Sequence, residues 1–231
     1  MKIQRSIEVT YEATNDPAEA AKWIANLPDV FAADFETAIK YTAEEVAESK
    51  VISLDTTIPR LERVRHQAIA NATALGHPSH CTITHCSMAA SESEGLVFII
   101  DNQEIADVVL DFLTETEKKQ IWHNYCYDGR FLRYFQRKDV KNFEDTQIFA
   151  KTLINHVEIF KARTSLKDLA GAWYGDWGIS ADNFTLAQQY EPKVLHYAAI
   201  DACSTFKLWH YLNSFCREAS EEQKEYAAVD G

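Results

Sequence analysis

The chain has 231 residues, of which 46% are hydrophobic and 12% aromatic, and its formal net charge is −12 at pH 7. This composition excludes a disordered chain, and the length suffices for one substantial core but is short for two independent domains. The N-terminal residues lack the apolar run of a signal peptide, and nowhere do 18 apolar residues follow one another. We therefore expect a soluble, cytoplasmic protein with no membrane partner. The negative charge argues against nucleic acid as a ligand unless the protein also binds cations.

The first half of the chain predicts a helix followed by strands. Asp16 and Pro17 are typical of the N-cap and the first position of a helix. A buried strand over 30–36 follows, and residues 42–78 are polar and helix-favouring in large part. Two β-rich runs, CTITHCSMAAS and GLVFIID, are separated by the turn-forming residues SESEG and predict a hairpin.

The second half predicts a further strand among helices. Apolar residues at helical spacing follow Asn102, IWHNY reads as a buried strand, and a helix is expected to begin near Asp128. The residues from Asp145 to about Cys216 are mostly helix-favouring, with a long helix from about Pro192. This order predicts an α/β fold with a central mixed β-sheet flanked by helices. We expect a single domain over 1–231, with residues 42–78 as a helical insertion.

Two acids stand at the end of the first buried strand, in the stretch VFAADFET. Residues i and i+2 of a strand project from the same face, so Asp34 and Glu36 converge on one point. Burying two carboxylates without a partner costs several kcal/mol. A divalent cation is the simplest compensation, and carboxylate oxygens suit magnesium or manganese.

Acids also follow two other apolar segments. Asp128 comes directly after the strand IWHNY, where an acid at a helix start is ordinary as a cap. Tyr197 and Asp201 are one helical turn apart in a segment that is apolar nearly all round, where an acid needs a partner.

Together these residues resemble the three motifs of the tyrosine subgroup of DEDD exonucleases (DEDDy), and most closely the 3′–5′ proofreading domain of family A DNA polymerases. The resemblance covers about residues 28–212. The matching positions are Asp34, Glu36 and Thr37 for D-x-E-T; Asn124, Tyr127 and Asp128 for N-x-x-Y-D; Tyr197 and Asp201 for Y-x-x-x-D; and, as supporting matches, Asp145-Thr146 and SLKDLA at 165–170.

The resemblance implies an RNase H-like (DnaQ-like) exonuclease fold and hydrolysis of terminal phosphodiesters of DNA, which releases 5′-mononucleotides. It implies two divalent metal ions, Mg²⁺ or Mn²⁺, held by Asp34, Glu36, Asp128 and Asp201. Tyr197 would position the attacking water. The implied substrate is single-stranded DNA or a frayed 3′ end, with a separate polymerase or replication protein as a possible partner. Candidate substrate contacts are Phe35, Thr37, Asn124, Phe131 and His196.

Two alternatives stay open from the sequence. An exoribonuclease resembling RNase D shares the same three motifs, and a non-catalytic nucleic-acid-binding module could have the same fold. Positive charge gathers in three segments despite the net charge: Arg60, Arg63 and Arg65, near His66; Arg130, Arg133, Arg137, Lys138 and Lys141; and Lys161, Arg163 and Lys167. The first of these fits phosphate contact from the insertion.

Overall fold

A computed structural model of the chain describes residues 8–72, 76–154, 164–174 and 185–229, with the backbone alone for 154, 172–174 and 217–229. The strands are β1 (Thr10–Thr14), β2 (Val30–Ile39), β3 (Cys81–Ala89), β4 (Glu94–Ile99), β5 (Lys119–Trp122) and β6 (Phe143–Asp145). The helices are α1 (Pro17–Ala25), α2 (Ala43–Leu54), α3 (Arg60–Ala70), α4 (Gln103–Glu115), α5 (Tyr125–Phe135), α6 (Thr146–Ile154), α7 (Leu166–Tyr174) and α8 (Pro192–Val229). A short 3₁₀ turn covers Leu186–Gln188.

The six strands form one mixed sheet in the order β1-β4-β3-β2-β5-β6. Strands β2, β3 and β4 pair antiparallel, whereas β5 and β6 run parallel to β2, and β1 runs parallel to β4. The predicted central mixed sheet flanked by helices is therefore confirmed, and so is the predicted pairing of β3 with β4. The predicted strand over 30–36 lies at the centre of the sheet, where both faces are covered.

The two strands at the edges of the sheet were not predicted. The signal for β1 was present but overlooked, because apolar Val9, Tyr11 and Ala13 alternate there with polar residues. β6 has only three residues, too few to show an alternation. Its strand conformation follows from pairing with β5, which is a tertiary effect.

Helix α1 begins as predicted, because the Asp16 side chain accepts a hydrogen bond of 2.8 Å from the N–H of Ala18 and Pro17 occupies the first position. Helix α5 begins at Tyr125, so its predicted start near Asp128 was wrong. Its cap comes from a distant residue: the Asp145 carboxylate accepts from the N–H groups of Asn124 (3.1 Å) and Tyr125 (2.9 Å).

The helices cover both faces of the sheet. One apolar core lies between the sheet and α1, α4 and α5, and a second includes residues of β4, α6, α7 and α8. Helix α8 packs closely on the strands because Gly95 of β4 has no side chain. A Cβ at this position would lie 3.0 Å from the Cβ of Ala199 and 3.3 Å from its Cα. Gly95 therefore sets the depth at which α8 sits on the sheet.

Helices α2 and α3 lie between β2 and β3, where the sequence predicted helical residues. Thr42 and Glu45 form a reciprocal capping box at the start of α2. The two helices pack against each other, yet Val51, Leu54 and Leu61 stay exposed. Among the described helices, none is both long and apolar enough to cross a membrane.

Candidate active site

The first two acids lie on the central strand beyond the end of its parallel neighbour. The pairing of β2 with β5 ends at Ala32, so Asp34 and Glu36 extend past it. The register between β2 and β3 then shifts, because Thr84 has no partner on β2 and its hydroxyl donates to the carbonyl oxygen of Glu36 (3.1 Å). Such irregularities re-aim side chains next to functional sites. The loops beyond the carboxyl ends of parallel strands are also where α/β proteins place ligands.

Helix α8 brings the third acid to the same point. Tyr197 and Asp201 are buried, at 3% and 9% exposure, on the face of α8 that covers the sheet. One carboxylate oxygen from each of Asp34, Glu36 and Asp201 lies within 4.8 Å of the other two. Residues far apart in the sequence therefore form one compact group of carboxylates.

Asp128 lies beside this group. It occupies the first turn of α5 and is 3% exposed. Its negative charge is the largest contribution from a neighbouring group to the raised pKa of Asp34. The backbone of Phe35 lies close enough to the Asp128 carboxylate to lower its pKa, so the start of α5 lies against the strand that carries the first two acids.

The electrostatics of the group favour a bound cation. Burial, together with the charges of the neighbouring acids, raises the pKa values of Asp34 and Glu36 well above their usual range. Burial also raises the pKa of Asp128. The Oε1 atom of Glu36 is buried without a hydrogen-bond partner. Hard oxygen donors of this kind fit Mg²⁺ or Mn²⁺, which would neutralise the repulsion and satisfy the unpaired oxygen.

Tyr197 lies next to the carboxylates as a protonated phenol. Burial raises its pKa far above 10, and the charges of Asp201, Glu36 and Asp34 raise it further. Deprotonation would place another negative charge among the acids, so the hydroxyl is a hydrogen-bond donor and acceptor at neutral pH and not a base. This state agrees with the predicted role in positioning water.

Sequence reasoning missed one cation at the site. Lys167 was noted only as a member of a basic segment, but its charge lowers the pKa values of both Asp34 and Glu36. It lies in the first turn of α7, and its Nζ atom stands over the Tyr197 ring. The motif SLKDLA, which contains Lys167, was recognised in the sequence. Nothing in that motif indicates which of its side chains reaches the acids. Lys161 and Arg163 lie outside the described residues.

Two of the five candidate substrate residues lie where a nucleotide could reach them. Thr37 follows Glu36 in the sequence and Tyr127 precedes Asp128, and the hydroxyl oxygens of Thr37 and Tyr127 are 3.0 Å apart. Asn124 is exposed, and its backbone is left-handed with φ 62° and ψ 47°. An Asn tolerates this conformation better than most residues, so its identity has a backbone reason in addition to any contact with substrate.

The other three candidates are covered by other side chains or lie at another edge of the sheet. Phe35 is 4% exposed, with its ring 5.3 Å from that of Trp122, and Phe131 is fully buried in the core. A ring covered on both faces offers no surface to a base. The His196 ring lies 6.0 Å from that of Tyr11 on β1, which is the edge of the sheet away from β5. The structure thus brings the acids and Tyr197 together but does not bring these three side chains to an open surface beside them.

A family model described as 3′–5′ exonuclease matches residues 11–231, nearly the whole chain. The chain belongs to the 3′–5′ exonuclease family. This result confirms the resemblance identified from the three motifs, and the protein is an enzyme of the exonuclease class rather than a non-catalytic binding module. No curated protein sequence matches the chain.

Several solved structures share the fold of this exonuclease. The structure of Brucella melitensis NrnC with bound Mg²⁺ is 14% identical with a TM-score of 0.52, and the alignment covers 96% of this chain and 88% of that one. NrnC bound to pGG is 15% identical, with a TM-score of 0.55 and the same coverage. Trypanosoma brucei RNase D in complex with RNA U12 is 12% identical with a TM-score of 0.58, covering 89% of this chain and 63% of that one. The RNase H-like fold predicted from the sequence is confirmed.

Proposed function

We propose that this exonuclease is metal-dependent and hydrolyses the terminal phosphodiester at the 3′ end of single-stranded nucleic acid, which releases 5′-mononucleotides. The observation that carries the proposal is the convergence of Asp34, Glu36 and Asp201 within 4.8 Å, with Asp128 beside them. These four acids are the proposed ligands of two divalent cations. When bound, such cations supply Lewis acidity toward water and the phosphate oxygens and offset the charge that develops on phosphorus.

The remaining side chains position the reactants. The Tyr197 hydroxyl, held protonated by its surroundings, donates or accepts a hydrogen bond with the attacking water and orients it toward phosphorus. The Lys167 ammonium lies on the same side and adds a positive charge for the scissile phosphate. The Thr37 hydroxyl and the Asn124 side chain are the proposed contacts to the terminal nucleotide.

Two kinds of nucleic acid are candidate substrates. Single-stranded DNA or a frayed DNA 3′ end is the first candidate, because the motifs resemble those of polymerase proofreading domains. RNA is an equally supported candidate, since one structure with the same fold is an RNase D in complex with RNA and another is bound to pGG. A separate polymerase or replication protein that delivers DNA ends would accompany the first candidate.

The test measures mononucleotide release from matched DNA and RNA strands labelled at the 5′ end, with Mg²⁺ or Mn²⁺. We expect a ladder that shortens one nucleotide at a time from the 3′ end and stops when EDTA is added. The Asp34→Ala and Asp201→Ala variants serve as inactive controls. A protein that releases no nucleotide from either strand with either metal would contradict the proposal, and the ratio of the two rates decides between DNA and RNA.

A further inference from the structure

Tyrosine and arginine alternate along helix α5 and just beyond its end. Tyr127, Arg130 and Tyr134 follow one another at intervals of three and four residues, which places them along one helical stripe that begins beside Asp128. Arg137 lies two residues past the last residue of α5, where its left-handed backbone (φ 57°) ends the helix and its side chain contacts Tyr134. The Arg130 guanidinium stands 4.5 Å from the centroid of the Tyr127 ring, and that of Arg137 stands 5.9 Å from the centroid of the Tyr134 ring. We call these four residues the tyrosine–arginine stripe.

The two arginines of the stripe differ from the other cations nearby. Arg133, Lys138 and Lys141 form ion pairs with Asp139, Glu115 and Glu117 at 2.6 to 2.8 Å. Arg130 and Arg137 form no ion pair with any described residue. The charge of Arg130 lowers the pKa of Asp128, but neither guanidinium is neutralised by an ion pair. In a chain of net charge −12, two such groups at one end of α5 are a local positive site for an anion.

Further aromatic and basic side chains border the far end of the stripe. The Lys40 Nζ atom lies 5.5 Å from the centroid of the Phe135 ring, and the His77 ring lies 6.3 Å from that of Tyr134. All of these side chains are exposed. Lys40 follows β2 and His77 follows α3, so the chain segments before α2 and after α3 meet the stripe.

We infer that the tyrosine–arginine stripe binds the strand of nucleic acid upstream of the 3′ end, an inference that rests on the proposed function. Aromatic rings offer stacking surfaces to bases of any sequence, and guanidinium groups bind phosphate. Tyr127 of the stripe precedes Asp128 in the sequence, and its hydroxyl is 3.0 Å from that of Thr37, which follows Glu36. Asp128 and Phe135 are seven residues apart, which is about 10 Å along a helix and about three nucleotides at stacked spacing.

The stripe therefore acts on strands longer than about three nucleotides, whereas the acids suffice for a dinucleotide. The experiment compares KM for a 5′-phosphorylated dinucleotide with KM for strands of about 12 nucleotides, in DNA and in RNA, for the wild type and the Tyr134→Ala/Arg137→Gln double variant. We expect the double variant to raise KM for the longer strands about tenfold and to leave KM for the dinucleotide and kcat within about twofold. The salt dependence of binding to the longer strands should weaken by about one phosphate contact.

Two matched variants control for charge and for loss of an exposed ring. Arg133→Gln removes an arginine of α5 that is already paired with Asp139, and Tyr211→Ala removes an exposed tyrosine on α8. Both should leave KM for the longer strands unchanged. The inference is overturned if Arg133→Gln raises KM for the longer strands as much as the double variant does. It is also overturned if the double variant raises KM equally for the dinucleotide and the longer strands, or does not raise KM at all.

A binding measurement separates this inference from the proposed function. Fluorescence anisotropy with a labelled 12-nucleotide strand and the Asp34→Ala protein needs no hydrolysis. A wild type that hydrolyses neither substrate would contradict the proposed function. Independently of that result, the affinity of Asp34→Ala for the strand should fall about tenfold when the two stripe substitutions are added. An affinity that the two substitutions leave unchanged would overturn the inferred binding site. Unchanged thermal unfolding of the variants shows that the fold is intact.

Discussion

The Nζ atom of Lys167 lies 4.6 Å from the centroid of the Tyr197 ring, so helix α7 presents a cation to the face of a tyrosine on α8. This distance is within the range of a cation–π interaction. The same charge lowers the pKa values of Asp34 and Glu36, so Lys167 is a cation that offsets part of the negative charge of the site.

Replacing Lys167 should reduce turnover while the fold persists. We expect Lys167→Met to lower kcat by about 10- to 100-fold, since a charge directed at the phosphate is lost from a site with low water content. Lys167→Arg keeps the charge and should recover a large part of the rate. Steady-state kinetics on a single strand measure both. Equal rates for the Met variant and the wild type would contradict the assignment, and Lys151→Met, on the neighbouring helix α6, is the control.

Metal removal should reveal the repulsion among the acids. Without metal, Asp34→Asn removes one of several crowded charges, and we expect it to raise the free energy of unfolding by about 1–3 kcal/mol, although it abolishes activity. Added Mg²⁺ should raise the melting temperature of the wild type by ligand linkage, and that of the variant much less. Thermal unfolding in EDTA and in Mg²⁺ gives both results. A variant less stable than the wild type in EDTA would contradict this account.

His123 should make stability depend on pH below neutrality. Burial lowers its pKa to about 4, although the charge of Asp145 and a hydrogen bond to the carbonyl oxygen of Thr164 raise it. The unfolded chain, with a His pKa of about 6.5, binds more protons than the folded protein between these values, so stability is lost as the pH falls from about 6.5 to about 4. The full effect is about 3 kcal/mol.

The measurement is urea unfolding of the wild type and His123→Gln at several pH values from 7.5 to 4.5. The difference in unfolding free energy should change in favour of the variant as the pH falls, because Gln does not titrate. A difference that stays constant with pH would show that His123 keeps its ordinary pKa. The comparison with the variant removes the contribution of the acids, which is common to both proteins.

Substitutions of Asn124 should separate its backbone role from its side-chain role. Asn124→Val forces a β-branched residue into a left-handed conformation and should cost about 1–2 kcal/mol of stability. Asn124→Gly accepts this conformation, so its melting temperature should stay close to that of the wild type. If the amide contacts the nucleotide, the Gly variant still raises KM about fivefold or more. A Gly variant with unchanged KM would remove Asn124 from the substrate contacts.

Gly95 offers a test of how closely α8 must approach the sheet. Gly95→Val places atoms against Ala199, two residues from both Tyr197 and Asp201, and should lower stability by about 1–3 kcal/mol as well as activity. Gly171 is a matched control, because no described atom lies within 4 Å of the position of an added Cβ. Gly171→Ala should leave activity unchanged and raise helix stability slightly. Similar behaviour of the two variants would contradict the role given to Gly95.

The sequence could predict the convergence of Asp34 and Glu36, because the side-chain period of a strand is a local property. It could also predict that Tyr197 and Asp201 lie on the same face of a helix, since residues four apart are neighbours on a helix whatever the tertiary fold. It could not predict that Lys167 reaches the Tyr197 ring, because that contact depends on how α7 packs against α8. The start of α5 was missed for a related reason: its cap is the Asp145 carboxylate, twenty residues downstream of Tyr125.

Substrate contacts were the least predictable part of the site. Phe131 was chosen for its ring, but its position on α5 turns it into the core. Tyr134 on the same helix and Arg137 just past its end are exposed and were not chosen. The orientation of α5 on the sheet determines which of its aromatic rings are buried and which are exposed to a nucleotide. That orientation is a property of the whole fold.

Helix α8 contributes Asp201 to the cluster of acids and also covers one face of the sheet. All six strands among the described residues precede residue 146, whereas Asp201 and apolar residues that cover β4 come from α8. During translation, the sheet can pair while this face still lacks its cover, and the last acid has not yet left the ribosome. The cluster of acids is therefore complete only after α8 has emerged, so we expect the chain to gain its nuclease site later than its sheet.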